Sequence, residues 1–457
     1  MRRLLFIGVA LIAAAAAAVA YQTTARDRAY RAFLAQGDAA LHDEQTFVAI
    51  EAFSGAIALR PDSMLAHLKR GETYQRRAEL DEAARDFRTA AELDPTATRP
   101  LEALGDALYQ LRRFDRAADA YGLDLALDDR SAGVSYKLAL TWYRAGNVDR
   151  ALGTLDQTLR LDDRLADGHY LRGLCLREKR RNAEAIQSLE KAVALSPGLI
   201  AAREELADLY GASTRHADEI EQLQVLAGLD RDHTERQIAV GLAQARAGHS
   251  DLAVLTLGSA LERTPNQPLI YRALGQVWLD VAEARNDRVA LSKALEALGR
   301  VASDPGATSD ILTLYGRALV LDGQFDVAER TFQQATTRFP VEPAAFTLYA
   351  AAAERQNHFD AARDALIEYS DLAPDDNLVP QATHIATLSL RLNDPRTAVT
   401  WLTRAASTSP NNIKLMTALA AAQLQAGDRD DAHATIARGL DKAPNDPTLT
   451  ALGRRIH

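Results

Sequence analysis

From residue 30 onward, small, large apolar and polar residues follow a pattern that repeats every 34 residues. In most periods the eighth and twentieth positions are small and the seventh, eleventh and twenty-fourth are large and apolar, and the thirty-second is often Pro. The residues at the eighth position are, in order, Gly37, Gly71, Gly105, Ala139, Gly173, Ala207, Gly241 and Gly275. This spacing predicts two antiparallel helices per period, which approach closely at the small residues and end at the Pro.

The same pattern continues to residue 446 with two insertions. The step from Gly275 to Gly316 is 41 residues and the step from Ala350 to Ala386 is 36. We therefore predict twelve repeats, with repeats 1–8 over residues 30–309, repeats 9–12 over residues 310–446 and a closing helix over residues 447–457. Repeat 6 is the weakest, since Glu219 stands where a small residue is expected, and repeat 8 should have lengthened helices. A single helix pair cannot bury its apolar face, so the repeats must stack into an array.

The side chains of the second repeat identify the kind of helix pair. The characteristic residues are Gly71, Tyr74, Ala83, Phe87, Ala90 and Pro95. This pattern resembles the tetratricopeptide-repeat (TPR) family, and the resemblance extends over about nine tenths of the chain. It implies an all-α fold, a right-handed TPR superhelix (α-solenoid), with a concave groove lined by positions 2, 5, 9, 12 and 13 of each repeat.

The first 29 residues have a different pattern, which is typical of membrane targeting. Arg2 and Arg3 precede an uncharged, mostly apolar run over residues 4–21. We predict a signal peptide or a signal-anchor transmembrane segment with a short linker, so that the protein is exported to the periplasm or anchored in the inner membrane by a single N-terminal helix. Cleavage after Ala20 and retention of the helix both fit the sequence. The cluster of Arg26, Arg28 and Arg31 weakens the predicted orientation, because positive charge tends to remain in the cytoplasm.

The overall composition is that of a globular protein with a net negative charge. Hydrophobic residues make up 47% of the chain, and 62 acidic residues against 53 Lys and Arg give a net charge of −9. This balance argues against nucleic acid as a partner. Cys175 is the single cysteine, so no disulfide within the chain holds the fold.

The sequence contains no enzyme motif. It lacks the glycine-rich phosphate loop, the HExxH zinc motif and the GxSxG nucleophile motif, and the repeats occupy the residues that a catalytic domain would need. No two of the ten histidines are three or four residues apart. We therefore predict no metal site, no cofactor and no catalytic activity.

Two groups of residues stand out at the groove positions that the resemblance implies. Position 9 is acidic in the first three repeats, at Asp38, Glu72 and Asp106. In repeats 3–5, positions 5 and 12 hold Tyr109, Tyr136, Tyr143 and Tyr170, with Arg144 and Arg177 beside them. Aromatic side chains in a concave surface are typical anchors for a partner, and a solvated face or packing between first helices is the alternative explanation. The aromatic residues at position 11 are predicted to lie in the core; they are Tyr74, Trp142, Tyr210 and Trp278.

These features lead to two hypotheses about function. The first is a non-enzymatic scaffold, exported or membrane-anchored through residues 4–21, which docks a protein or peptide in the groove and organises a cell-envelope assembly. The second is a periplasmic TPR protein for exopolysaccharide binding, guidance or export, since tyrosines with acidic neighbours also suit sugar rings. Chaperone-binding members of the family use Lys and Asn at positions 5 and 9 to hold a carboxylate. Here Leu34 and Asp38 occupy those positions, so a chaperone partner is disfavoured.

Overall fold

The computed structural model describes residues 2–230, 233–372 and 378–455, with side chains from residue 16 onward. These residues form 25 α-helices and no strand. The helices of the first six repeats are α1 (Arg2–His42), α2 (Thr46–Leu59), α3 (Met64–Arg76), α4 (Leu80–Leu93), α5 (Thr98–Gln110), α6 (Phe114–Leu127), α7 (Ala132–Arg144), α8 (Val148–Leu161), α9 (Ala166–Glu178), α10 (Asn182–Leu195), α11 (Ile200–Ala212) and α12 (His216–Leu229). The remaining helices are α13 (Thr234–Arg246), α14 (Ser250–Arg263), α15 (Pro268–Arg285), α16 (Arg288–Ala302), α17 (Ser309–Asp322), α18 (Phe325–Thr336), α19 (Ala344–Arg355), α20 (Phe359–Leu372), α21 (Leu378–Arg391), α22 (Pro395–Thr408), α23 (Ile413–Ala426), α24 (Arg429–Lys442) and α25 (Pro447–Gly453).

First and second helices alternate along the chain, and their ends follow the 34-residue period. The first helices of repeats 2–9 begin at Met64, Thr98, Ala132, Ala166, Ile200, Thr234, Pro268 and Ser309. Helix α3, for example, packs on α4 of its own repeat and on α5 of the next. The predicted all-α TPR solenoid is therefore confirmed.

The small residue at the eighth position of a repeat lies against the side chain at the twenty-fourth. A Cβ on Gly105 would be 2.4 Å from Cε1 of Tyr121, and a Cβ on Gly316 would be 2.5 Å from Cε1 of Phe332. Both aromatic side chains are almost completely buried. The missing side chain of the glycine thus leaves room for a ring that fills the space between the two helices.

Polar side chains at the fourth position tie some repeats to the turn before them. His67 Nε2 lies 3.3 Å from the carbonyl oxygen of Pro61. Arg203 does the same in repeat 6, where its Nε donates a hydrogen bond of 2.8 Å to the carbonyl oxygen of Pro197. Both side chains are more than nine tenths buried. Successive repeats are therefore connected by buried polar groups as well as by apolar packing.

Repeat 8 has longer helices than its neighbours. Helix α15 has 18 residues and α16 has 15, against 13 and 14 for α13 and α14. Asn286 follows α15 in the left-handed conformation, with φ of 50°, and the carboxylate of Asp287 caps α16. The lengthened helices that the insertion predicts are confirmed.

The chain divides into two compact units, residues 1–222 and 223–457. The boundary falls within α12, in repeat 6. In this repeat Glu219 is only 4% exposed, and Nδ1 of His216 lies 3.2 Å from its carboxylate. The repeat with the weakest sequence pattern is thus the one that contains the boundary.

Helix α1 runs from Arg2 to His42 without a break, through the segment where the sequence predicts a linker. Residues 22–29 contain neither Gly nor Pro, so nothing in this segment ends the helix. Where side chains are described, no helix is both long enough and apolar enough to cross a membrane. Residues 4–15, which make up most of the predicted membrane-spanning run, lie outside that part of the chain.

Candidate docking surface on the first helices

The acidic residues at position 9 are paired with basic residues of the following repeat. The pairs are Asp38 with Lys69 at 2.5 Å, Glu72 with Arg99 at 2.6 Å and Asp106 with Lys137 at 2.7 Å. Each pair joins the first helices of two consecutive repeats. Ion pairs as exposed as these typically contribute about 0–1 kcal/mol to the stability of a protein. Their main effect is therefore to neutralise the negative charge of Asp38, Glu72 and Asp106.

The pair of Lys137 and Asp106 has more hydrogen bonds to other side chains than the other two pairs. Nζ of Lys137 also donates to Glu102 at 2.9 Å, and Asp106 accepts a second hydrogen bond of 2.6 Å from the Tyr121 hydroxyl. Burial, followed by the hydrogen bond to Asp106, raises the pKa of Tyr121 well above its usual value. This network links α5, α6 and α7 beneath the predicted site.

The four candidate tyrosines lie on the first helices of three consecutive repeats. Tyr109 is on α5, Tyr136 and Tyr143 are on α7, and Tyr170 is on α9. All four are half-buried. Tyr136 interacts electrostatically with Tyr109 and Tyr170, and Tyr170 interacts with Tyr143, so the residues form one connected group. We refer to these four residues as the tyrosine surface.

Charged residues around the tyrosine surface affect its ionisation. Burial raises the pKa of Tyr136 to about 12, and Asp167 adds to this shift. Burial also raises the pKa of Tyr143, with a further contribution from Glu178, and that of Tyr170. Arg144 opposes the shift at all three tyrosines and therefore lies close to each of them. The hydroxyls stay protonated at neutral pH and act as hydrogen-bonding groups.

The two candidate arginines differ in their partners. Arg177 is paired with Glu205 and lies 4.0 Å from Asp208 in the next repeat. Arg144 is exposed, and within the described ranges it forms no ion pair. Of the two, only Arg144 has a guanidinium that no carboxylate among the described residues neutralises.

The tyrosine surface also contributes to packing. Tyr136 and Tyr143 pack against the cluster that contains Ala139, Leu155 and Cys175, and Tyr109 meets Phe114 edge to face with centroids 5.5 Å apart. One side of each ring therefore belongs to the repeat interior while the residue keeps a solvent-facing part. Packing therefore accounts for one side of these residues, and anchoring of a partner stays a prediction for the other side.

The prediction for the aromatic residues at position 11 is correct for only one of the four. Tyr210 is 4% exposed, whereas Tyr74, Trp142 and Trp278 are half-buried. The guanidinium of Arg150 lies 4.7 Å from the ring centroid of Trp142, and Nζ of Lys293 lies 4.2 Å from that of Trp278. Cations thus cover the outer part of the two Trp rings, which the period alone does not reveal.

Sequence reasoning missed a buried carboxylate near the tyrosine surface. Asp124 in α6 is 1% exposed, and its Oδ2 has no hydrogen-bond partner. Burial, with Glu102 and Asp128 adding to it, raises the pKa of Asp124 to about 6. The equivalent residue of repeat 2 is Ala90, so the signal was a charged residue at a position that is otherwise small.

Two cavities were not foreseen either. One, of about 590 Å³, lies beside α4, α5 and α6 and is lined mainly by Leu101, Leu104, Leu108, Leu123 and Leu127. The other, of about 670 Å³, lies at the inserted repeat and includes Tyr271, Arg272, Arg300 and Asp310. Arg272 is paired with Asp310 at 2.5 Å, so the charges of the second cavity are largely satisfied.

The described residues contain no group of three His, Cys, Asp or Glu side chains that could hold a metal ion. Cys175 is completely buried in α9. Burial, with a smaller contribution from Glu178, raises the pKa of its thiol to about 12. The geometry of Cys175 is that of a packing residue.

Comparison with known proteins assigns the family. One family model, described as tetratricopeptide repeat, matches residues 44–98, 68–133, 136–200 and 314–377, and a second with the same description matches residues 389–456. A curated relative, small glutamine-rich tetratricopeptide repeat-containing protein 2 of Mycosarcoma maydis, is 30% identical over 94 residues. This match covers 21% of the present chain and only 27% of the relative's length.

Similar solved structures cover parts of the chain. MamA (residues 41 to the end) from Desulfovibrio magneticus RS-1 is 22% identical, with a TM-score of 0.36, over 37% of this chain and 96% of its own. YrrB, described as a TPR protein with an unusual peptide-binding site, is 20% identical, with a TM-score of 0.36, over 41% of this chain and 97% of its own. PilF of Pseudomonas aeruginosa is 20% identical, with a TM-score of 0.39, over 47% and 97%. On the strength of the family models, the chain belongs to the tetratricopeptide-repeat family.

Proposed function

We propose that this protein is a scaffold that docks a protein or peptide on the first helices of repeats 3–5, and that the tyrosine surface is the main contact. The TPR fold supports a protein–protein interaction scaffold, and TPR arrays are generally non-catalytic. The observation that carries the site is the connected group of half-buried tyrosines on α5, α7 and α9.

The physical basis of this proposal is the character of tyrosine as an anchor. A Tyr ring offers a large contact area with little conformational entropy to lose, and a buried anchor typically contributes about 2 kcal/mol or more to binding. Because one side of each ring is already held by the packing of its own repeat, the rings are fixed before a partner arrives. Fixed side chains lower the entropic cost of association.

Photo-crosslinking tests the position of the site directly. Benzoylphenylalanine in place of Tyr143 keeps an aromatic ring on the tyrosine surface, and the same substitution at Tyr315, a half-buried tyrosine of α17, serves as a control. We expect a crosslinked partner from residue 143 and none from residue 315. Equal crosslinking at both residues, or crosslinking only from residue 315, would refute the proposed site.

We further propose that the array acts outside the cytoplasmic membrane as part of a cell-envelope assembly, either released or anchored in the inner membrane by residues 4–21. The support is the pair Arg2 and Arg3 followed by an uncharged run. A reporter that is active only after export, fused after residue 60, should be active. The mass of the mature amino terminus then distinguishes cleavage after Ala20 from retention. Activity of a cytoplasmic reporter alone would contradict this location.

Exopolysaccharide is the second candidate ligand, because tyrosine rings beside carboxylates such as Asp167 also suit sugar rings. Retention of the purified protein on immobilised exopolysaccharide, with Tyr136→Leu and Tyr170→Leu as a matched double variant, tests this alternative. Retention that depends on both rings would favour the polysaccharide over a protein partner.

A further inference from the structure

This protein covers many of its aromatic rings with its own cations. In the described part of the chain, ten aromatic rings have a Lys or Arg head group 3.5 to 5.9 Å from the ring centroid. The covered rings belong to Tyr30, Phe47, Phe53, Trp142, Tyr210, Tyr271, Trp278, Phe325, Phe359 and Trp401. A cation over a ring face is attracted by the negative potential of the π system, so each contact satisfies the ring within the chain.

The rings of the tyrosine surface belong to those without such a cation. Among the residues that the structure describes, no Lys or Arg lies over the rings of Tyr109, Tyr136, Tyr143 or Tyr170. Trp142, which lies between Tyr136 and Tyr143 in the sequence, is covered by Arg150. Tyr210, in the repeat after the surface, is covered by Arg215. Four neighbouring rings therefore lack the intramolecular cation that other rings of this chain have.

Carboxylates without an ion pair stand beside these uncovered rings. Asp167 interacts with Tyr136, and Glu178 interacts with Tyr143. Both acids are exposed, and neither is in an ion pair within the described ranges. Three further acids of the neighbourhood have partners: Asp106 is paired with Lys137, Glu205 is paired with Arg177, and Glu204, which acts on Tyr170, has an interaction of its own.

The position of Glu178 in α9 does not stabilise its own helix. Glu178 is the last residue of α9, where the helix dipole is negative and disfavours a carboxylate. Asp167, by contrast, is in the first turn of the same helix, where the dipole favours an acid. The helix dipole therefore favours Asp167 and does not favour Glu178.

We propose that the tyrosine surface binds a basic segment of a partner protein, whose Lys or Arg side chains lie over the uncovered rings and pair with Asp167 and Glu178. This inference rests on the proposed docking function and specifies its partner. The partner supplies cations of the kind that the chain itself places over ten of its rings, and the net charge of −9 attracts such a segment from a distance. Arg144, the one unneutralised cation at the surface, limits where the cations of the partner can lie.

Defined peptides test the charge of the partner on the full chain. The probe is a fluorescein-labelled nine-residue peptide of alternating Arg and Leu. Its first twin has citrulline for every Arg, which keeps the shape and removes the charge, and its second twin has Glu. Fluorescence anisotropy should give about tenfold tighter binding for the Arg peptide than for the citrulline twin, and the difference should shrink as salt is raised.

Charge variants of the protein locate the effect. Asp167→Asn with Glu178→Gln should weaken binding of the Arg peptide about fivefold or more, whereas Asp430→Asn with Asp431→Asn removes the same charge from α24 and should leave it nearly unchanged. Arg144→Gln should strengthen binding, because it removes a like charge. An acidic partner would give the opposite sign for Arg144→Gln.

The outcomes separate this inference from the proposed function. Tighter binding of the Glu twin that is lost in Tyr136→Leu with Tyr170→Leu would keep the docking surface and overturn its preference for a basic segment. Equal binding of the Arg and citrulline peptides would also overturn that preference. Binding of the Arg peptide that neither the tyrosine nor the acid variants change would overturn both proposals. Melting temperatures close to the wild-type value verify that each variant is folded.

Discussion

The backbone of Gly71 in α3 lies directly against the ring of Phe87 in α4, and a Cβ at residue 71 would be 2.7 Å from Cε1 of that ring. The same relationship is found wherever the twenty-fourth position is aromatic. The pairs of glycine and aromatic residue in these repeats are Gly37 with Phe53, Gly71 with Phe87, Gly105 with Tyr121 and Gly316 with Phe332. Where Ala replaces the glycine, the partner is aliphatic, as in Ala139 with Leu155. Glycine also faces Leu in three repeats, where a Cβ would be 2.4 to 2.6 Å from Cγ of Leu189, Leu257 or Leu298. Leu therefore occurs opposite both Gly and Ala, whereas the aromatic rings occur only opposite Gly.

This relationship predicts strong coupling between the two positions. Gly71→Ala should destabilise the protein by about 1–3 kcal/mol, because the ring must shift to make room for the methyl group. When Phe87 is already replaced by Leu, Gly71→Ala should destabilise the protein by about 1 kcal/mol or more less than it does in the wild-type background. Denaturant unfolding of the single and double variants measures this coupling.

Gly122→Ala provides the control for the Gly71→Ala and Phe87→Leu variants. Gly122 is an exposed residue of α6, and a Cβ there would have nothing within 4 Å. Its replacement should stabilise the protein by about 0.5–1 kcal/mol, since Ala has the higher helix propensity. Additive effects of Gly71→Ala and Phe87→Leu would show that the ring and the glycine are not coupled.

A second prediction concerns the buried carboxylate of Asp124. Its pKa is about 6 in the folded protein, against 3.8 for an ordinary aspartate. Because the folded state raises this pKa, the charged form is penalised. The resulting loss of folding stability is absent below a pH of about 4, grows between about pH 4 and pH 6 and reaches its full size above pH 6. Asp124→Asn should therefore stabilise the protein at pH 7.5, by roughly 1–2 kcal/mol, and lose this advantage at pH 4.

Unfolding of the Asp124→Asn variant as a function of pH measures this effect. Asp119→Asn, on the exposed side of the same helix, is the matched control and should show no comparable change with pH. A gain in stability for Asp124→Asn that is the same at pH 4 and at pH 7.5 would contradict the raised pKa of Asp124.

A third prediction concerns Cys175, which should be unreactive in the folded protein. Its side chain is completely buried, and burial raises the thiol pKa to about 12, so little thiolate is present at pH 8. Labelling by a thiol reagent at pH 8 should occur only as repeat 5 opens, and at once in denaturant. Rapid labelling under native conditions would mean that α9 does not shield the thiol.

A fourth prediction is that repeat 6 opens before the repeats around it. Glu219 in α12 is only 4% exposed, at a position where repeats 2 and 3 have the fully buried Ala83 and Ala117, so a carboxylate occupies space that an apolar side chain fills there. Hydrogen exchange should therefore be faster in α11 and α12 than in α3 and α4. Equal protection of the two repeats would show that the buried carboxylate of Glu219 does not weaken repeat 6.

The period of the sequence was sufficient to predict the fold, because each repeat is a local unit that packs on its neighbours. The small residue at position 8 and the large one at position 24 belong to the same helix pair, so their contact follows from spacing alone. The pairing of Asp38 with Lys69 did not follow, since it depends on how side chains of successive repeats meet. The half-exposed Trp142 was likewise missed, because the covering Arg150 comes from the second helix of the repeat.

The candidate site was only partly accessible from the sequence. The positions of Tyr136 and Tyr170 on first helices follow from the family pattern, and the structure brings them close together. The difference between the paired Arg177 and the unpaired Arg144 requires the geometry of the next repeat. A charged residue at the position of Ala90 in repeat 2 was the sequence signal for Asp124, but its burial and its missing hydrogen-bond partner required the structure.

The most direct measurement of the central claim is the affinity of the partner crosslinked through residue 143 for the Tyr136→Leu, Tyr170→Leu double variant. Leu retains apolar contact with the repeat interior and removes the ring, so the melting temperature should change little. Tyr315→Leu with Tyr349→Leu replaces two half-buried tyrosines of α17 and α19 and is the control. We predict that calorimetric titration will show about thirtyfold weaker binding for the first double variant and unchanged binding for the second. Unchanged affinity of the first variant would contradict the claim that the first helices of repeats 3–5 hold the partner.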